Sequence, residues 1–208
     1  MVWLRLLIWL CFSVLAASAD AFDECGELQN AYGPFDYRSA SAQVKNTVEG
    51  THFLPYTERL QKGHTGSVGA EIDYTLRAFP NHPRALMAMM KLGIKEKTET
   101  PYGASWSVSC YFDRAVRFAP DDPAVHTIYG IYFVKRGDRQ AARHELEIAE
   151  AAIRGMGGDA NLSYNLGLTY FDLNDYDKAL EQAKAAYALG FPLPGLRDKL
   201  KRANKWVD

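Results

Sequence analysis

Between residues 123 and 190, apolar residues recur every three or four positions in four successive stretches, the spacing of one face of an α-helix. PAVHTIYGIYFVKRG leads into DRQAARHELEIAEAA, and ANLSYNLGLTYFDLN leads into DYDKALEQAKAAYALG. The pattern predicts two helix-turn-helix units. Each first helix sets a glycine among large residues: Gly130 beside Tyr129 and Phe133, then Gly167 beside Leu166 and Tyr170. Each second helix answers with alanines, Ala142 and Ala149, then Ala179 and Ala186. Helices cross closely only where small side chains meet, and the large neighbours then fill the space beside the crossing.

A weaker copy of the pattern lies upstream. DYTLRAFPNHPRAL at 73–86 aligns with DRAVRFAPDDPAVH at 113–126, and both read as helix end, Pro-x-x-Pro turn and helix start. Pro120 stops one helix, Asp122 caps the next, and Pro123 suits its first position. Asp138, Asp159 and Asp175 are candidate caps of the same kind. Residues 83–97 predict a Met-rich helix, 98–104 a long loop, and 105–119 its partner helix containing Cys110. After Pro194, Leu196, Leu200, Ala203 and Trp206 share one face of a basic helix, as expected of the element that closes a stack. Residues 20–66 are the least patterned. They predict a short helical start near Cys25, a break at Gly33-Pro34, and a short helix begun by Pro55 and ended near Gly63.

The small–large pattern Gly167, Tyr170, Ala179, Ala186, echoed by Gly130, Phe133, Ala142, Ala149 and recurring at roughly 34 residues or a little more, resembles the tetratricopeptide repeat (TPR) family. The resemblance spans about residues 83–193. It implies an all-α helical-repeat solenoid with units at 83–122, 123–159 and 160–193, a half repeat before them, and residues 194–208 as the cap. The first unit departs most, because Met90 stands where a small residue is usual, so its helix pair is expected to splay. The family lines its concave face with first helices. That implies a groove from Arg84, Met87, Lys91 and Lys95, from Thr127, Ile131 and Lys135, and from Asn161, Tyr164, Leu168 and Phe171. The alternative is that residues 20–66 fold back over several of these. The family's Lys/Asn/Arg clamp for a peptide C-terminus is not matched, since Met87 and Thr127 replace cations. The layout also resembles secreted TPR proteins of Gram-negative bacteria.

Composition adds a compartment. The 208 residues are 48% hydrophobic with a net charge of −1, which gives no bulk electrostatic case for nucleic acid or an anionic membrane. Residues 1–19 place Arg5 before an apolar run and Ala17-Ser18-Ala19 after it, the layout of a secretory signal peptide; an uncleaved anchor is the alternative. The expected mature chain is exported, periplasmic, and without stable membrane insertion. It retains Cys25 and Cys110. Two thiols in an oxidising compartment make one bridge the simple expectation, against two buried free thiols. There is no G-x-S-x-G, P-loop or H-E-x-x-H, and the five histidines form no cluster at metal spacing. Neither enzyme, metal nor cofactor is therefore expected. The function expected is a scaffold that docks an unidentified protein or peptide; the alternative is a structural subunit acting by self-association or bracing.

Overall fold

The computed structural model describes residues 25–207. The expected signal peptide at 1–19 lies outside the described residues. Among those described, all regular structure is helical, with no strand. The helices are α1 Ala42–His52, α2 Pro55–Glu58, α3 Val68–Ala78, α4 Pro83–Glu96, α5 Val108–Phe118, α6 Pro123–Arg136, α7 Arg139–Gly155, α8 Ala160–Asp172, α9 Tyr176–Ala188 and α10 Gly195–Arg202. None is long and apolar enough to cross a membrane.

Turn chemistry sets the boundaries. The aspartates at 122, 138, 159 and 175 each accept an amide from the first turn of α6, α7, α8 and α9 respectively. Ser41, Ser67, Ser107 and His82 cap α1, α3, α5 and α4 in the same way. Pro83 and Pro123 open α4 and α6, where a missing N–H costs nothing.

The tight pairs are α6 with α7 and α8 with α9. A Cβ built on Gly130 would lie 2.5 Å from Leu146 Cδ2, and one on Gly167 would lie 2.6 Å from Leu196 Cδ2 and 3.2 Å from Gln182 Cβ. Both glycines are thus places where only a hydrogen fits. α4 and α5 touch far less. They meet at their loop end, where a Cβ on Gly93 would come 2.8 Å from Val108 Cγ2, and Met90 is buried between. Adjacent pairs join through rings: Phe112 of α5 stacks on Tyr129 of α6, with centroids 4.8 Å apart.

Residues 25–66 pack on α3, α4 and α5 through buried polar contacts. Cys25 is bonded to Cys110. The Arg114 side chain, almost fully buried, donates from Nη1 to the carbonyls of Cys25, Gly26 and Glu27, with Trp106 against its face at 3.9 Å. Asn81 accepts from the amide of Tyr37 and donates to Asp36 and Asp122. Glu71 accepts from the amides of His64, Thr65 and Gly66 and faces His52 Nδ1 at 2.6 Å. Burial alone would raise its pKa, but the amides and His52 hold it down to about 2.

Three local expectations are corrected. No helix forms near Cys25, because its carbonyls are turned onto Arg114 instead of onto each other. A helix does form at 42–52, in a polar stretch that buries only Val48. The last helix stops at Arg202, and Asn204 takes φ +55°. Trp206 therefore reaches Tyr187 by a turn, not along a helix face.

Gly130→Leu and Gly167→Leu should each lose roughly 1–3 kcal/mol or more of stability by overpacking; urea unfolding measures this, and an unchanged midpoint would refute the crossing. Thiol labelling of the denatured, unreduced chain should leave Cys25 and Cys110 unmodified, with modification at either detectable by peptide mass.

Candidate functional site

The first helices α4, α6 and α8 lie side by side, and a cavity of about 400 Å3 runs along them. Its apolar floor comes from Met87 and Ala88 of α4, Ile128 and Ile131 of α6, and Leu162 of α8. Its polar rim holds Arg84, Lys91, Asn161 and Asn165, with Glu58 supplied by α2. Six residues expected in the groove thus line one cavity: Arg84, Met87, Lys91, Thr127, Ile131 and Asn161. Thr127 contributes little polarity, because it is buried and its hydroxyl donates to the Pro123 carbonyl at 2.7 Å.

Other expected residues go elsewhere. Lys95 reaches across to donate to the Leu60 carbonyl at 2.8 Å. Lys135 lines a second cavity of about 380 Å3 with Lys97, Glu99 and Arg136. Tyr164 is a correction: it is buried, with its ring stacked on Phe191 at 4.0 Å. The chain after α9 folds back over it, which helical spacing within α8 does not reveal. Leu168 and Phe171 are half-buried against the same core cluster, and Phe171 meets Tyr176 edge-on at 5.3 Å. Conversely, Ile128, Leu162 and Ala88 line the cavity unannounced. Each sits one position after an expected residue, so the groove is rotated by about one position on each helix.

Glu58 of α2 walls one end. Arg84 pairs with Glu49 at 3.0 Å and with Glu58 at 2.9 Å, and its guanidinium lies over Phe53 at 5.4 Å. Glu49 also accepts from Tyr37 and His82; the His82 hydrogen bond leads in holding its pKa down to about 2. Arg84 is therefore already neutralised. Lys91 has no ion pair among the described residues, and the Asn161 and Asn165 side chains are exposed. The cavity can thus hold an aliphatic group on its floor and give hydrogen bonds and one cation to polar groups at its rim. No cluster of three or more metal-binding side chains exists among the described residues.

Two histidines are held in opposite states, His82 against Glu49 and His126 between α6 and α7. His82 Nδ1 accepts from the Ala85 amide, so the bare nitrogen requires a neutral ring whose Nε2–H donates to Glu49. Burial leads in lowering its pKa. His126 faces acceptors on both sides, Glu145 at 2.7 Å and the Pro120 carbonyl at 2.9 Å, so both its nitrogens carry protons. Burial opposes that charge, but the bonds to Glu145 and Pro120 outweigh it and raise the pKa. The stabilisation from His126 is complete below the unfolded value of about 6.5 and is lost as pH rises through the folded value. That from His82 is present above about 6.5 and is lost as pH falls. The stability lost in His126→Gln should shrink from pH 6 to 9, while that lost in His82→Asn should shrink from neutral pH down to 5. Denaturant unfolding across pH checks both signs.

No protein-family model, curated protein or solved structure matches this chain.

Proposed function

We propose that the chain is a non-catalytic interaction scaffold of the TPR type, exported to the periplasm, that docks an extended segment of a partner protein in the cavity along α4, α6 and α8. The observation that carries this reading is the convergence of three successive first helices on one cavity with an apolar floor and a polar rim. A peptide offers both chemistries at once. Aliphatic side chains seat between Met87, Ile131 and Leu162, and its backbone amides meet Asn161 and Asn165. A cavity of about 400 Å3 falls within the range of small-ligand sites, so it accommodates a few residues and not a folded domain. Export is supported by the leader-like layout of residues 1–19 and by the Cys25–Cys110 bond, which persists in oxidising compartments.

The competing reading, a subunit that braces a complex by self-association, gains from Glu58 of α2 walling one end. It does not use the open floor.

The test pairs Ile131→Asp with Asn165→Ala, measured against partners recovered from the native envelope and identified by mass spectrometry. Each substituted side chain sits at the cavity and is at least partly exposed, so helix content by circular dichroism should stay near wild type. Partner affinity should fall at least tenfold, the loss of about 1.4 kcal/mol. Tyr164→Ala should instead unfold the C-terminal pair without reporting on binding. Undiminished capture by the double variant overturns the placement.

A further inference from the structure

We propose that the C-terminal end of the molecule is a second interaction surface, one that docks peripherally on an anionic lipid bilayer. Three independent observations meet there.

The first is charge. Residues 194–208 carry Arg197, Lys199, Lys201, Arg202 and Lys205 against Asp198 and Asp208, a net of +3 on a chain whose total is −1. Only Lys199 of the five is spent in an ion pair, with Asp172 at 3.3 Å. Lys201, Arg202 and Lys205 are exposed and make no ion pair among the described residues.

The second is apolar exposure. Six large hydrophobic side chains are well exposed among the described residues, and two of them, Leu193 and Val207, lie in the segments on either side of α10. Leu193 and Val207 flank one aromatic cluster. Tyr187 donates to the Leu193 carbonyl at 3.1 Å, and its ring meets Trp206, the neighbour of Val207, at 6.1 Å.

The third is the way the two chemistries are joined. Arg197 lies over both Tyr187 and Trp206, at 4.3 and 5.0 Å. Its backbone amide donates to the Tyr187 hydroxyl. This clamp holds the apolar tips and the cationic helix α10 in one rigid unit. Aromatic and aliphatic tips beside unpaired cations match the layered chemistry of a bilayer interface, where acyl chains lie beneath an anionic headgroup plane. An acidic protein would satisfy the cations but leave Leu193 and Val207 in water. The unpaired charge likewise disfavours a second copy of this chain, whose own end would repel it.

The proposal is tested by co-sedimentation of the full chain with vesicles of phosphatidylcholine alone or mixed with phosphatidylglycerol. Wild type should partition onto the phosphatidylglycerol vesicles roughly tenfold or more better than onto neutral ones. That preference should vanish between about 0.1 and 1 M salt, as the screening length falls from about 10 to 3 Å. Lys201→Glu, Arg202→Glu and Lys205→Glu together should abolish it with helix content unchanged, and Leu193→Ser with Val207→Ser should weaken it. A retained leader carries Arg5 and would itself favour the anionic vesicles, so the loss of preference in the charge-reversed variant, which leaves residues 1–19 unchanged, is the reading that assigns binding to the C-terminal face. Equal binding to the two vesicle types, or full binding by the charge-reversed variant, overturns the proposal. So does a salt-sensitive dimer in sedimentation equilibrium that is lost in that variant while no lipid binding occurs; this result would give the face to a second copy.

Discussion

The close approach of helices at Gly130 and Gly167 is the constraint on which the rest depends. At Gly130 the Leu146 side chain of α7 stands where a Cβ would go, and at Gly167 Leu196 of α10 does, with Gln182 of α9 close behind, so these side chains rest directly on the bare backbone of α6 and α8. Interiors are packed too densely to absorb an added methyl group at such a point. With these pairs fixed, α6 and α8 are held side by side, and α4 completes the row that forms the cavity. Gly167 also receives Leu196, so the same crossing seats α10 and, through it, the basic end of the molecule. One missing side chain thereby positions both surfaces.

The first third of the described chain is held by a different kind of force. Beside the disulfide and a small cluster in which Phe35, Tyr37 and Val48 pack on Ala78 and Phe79, it is tied down by buried hydrogen bonds: Arg114 on three carbonyls, Asn81 between Asp36 and Asp122, and Glu71 on three amides. Buried polar groups are costly when unpaired, so each network tolerates one arrangement and rejects its neighbours. Apolar packing alone, as in the Val48–Ala78–Phe79 cluster, would leave the segment freer to slide. The consequence reaches the cavity, because Glu49 and Glu58 are placed by this segment and fix Arg84 between them.

What could be read from sequence follows the range of the interactions. Caps at Asp122, Asp138, Asp159 and Asp175 bond amides two or three residues away, so local chemistry announces them. The glycine crossings were legible because a short turn forces adjacent helices together. α1 was not, since AQVKNTVEGTH buries only Val48 and its packing partners are distant in sequence. The misplacement of Tyr164 has the same origin: helical spacing puts it on the face of Leu168 and Phe171, but Phe191 returns from the far end of α9 to cover it. Half of the expected groove converged on one cavity because those residues sit at matching positions on equivalent helices. The remainder diverged where another segment, such as the one bearing Leu60, claimed the side chain.

The two surfaces divide the chain's cations by whether an acid is built beside them. In the cavity, Arg84 sits between two carboxylates, which leaves Lys91 and an apolar floor, so attraction there acts only over contact distance. At the end face, Lys201, Arg202 and Lys205 are exposed and make no ion pair among the described residues, Lys205 lying over the Tyr176 ring, and their field extends about a Debye length, roughly 8–10 Å at physiological salt. A long-range surface selects where a molecule resides, while a short-range one selects what it holds. On this geometry, occupancy of the cavity leaves α10 untouched, because the side chains lining the cavity and those of the cap share none in common. Docking at the end face therefore raises the local concentration of the open cavity at the membrane without competing for it.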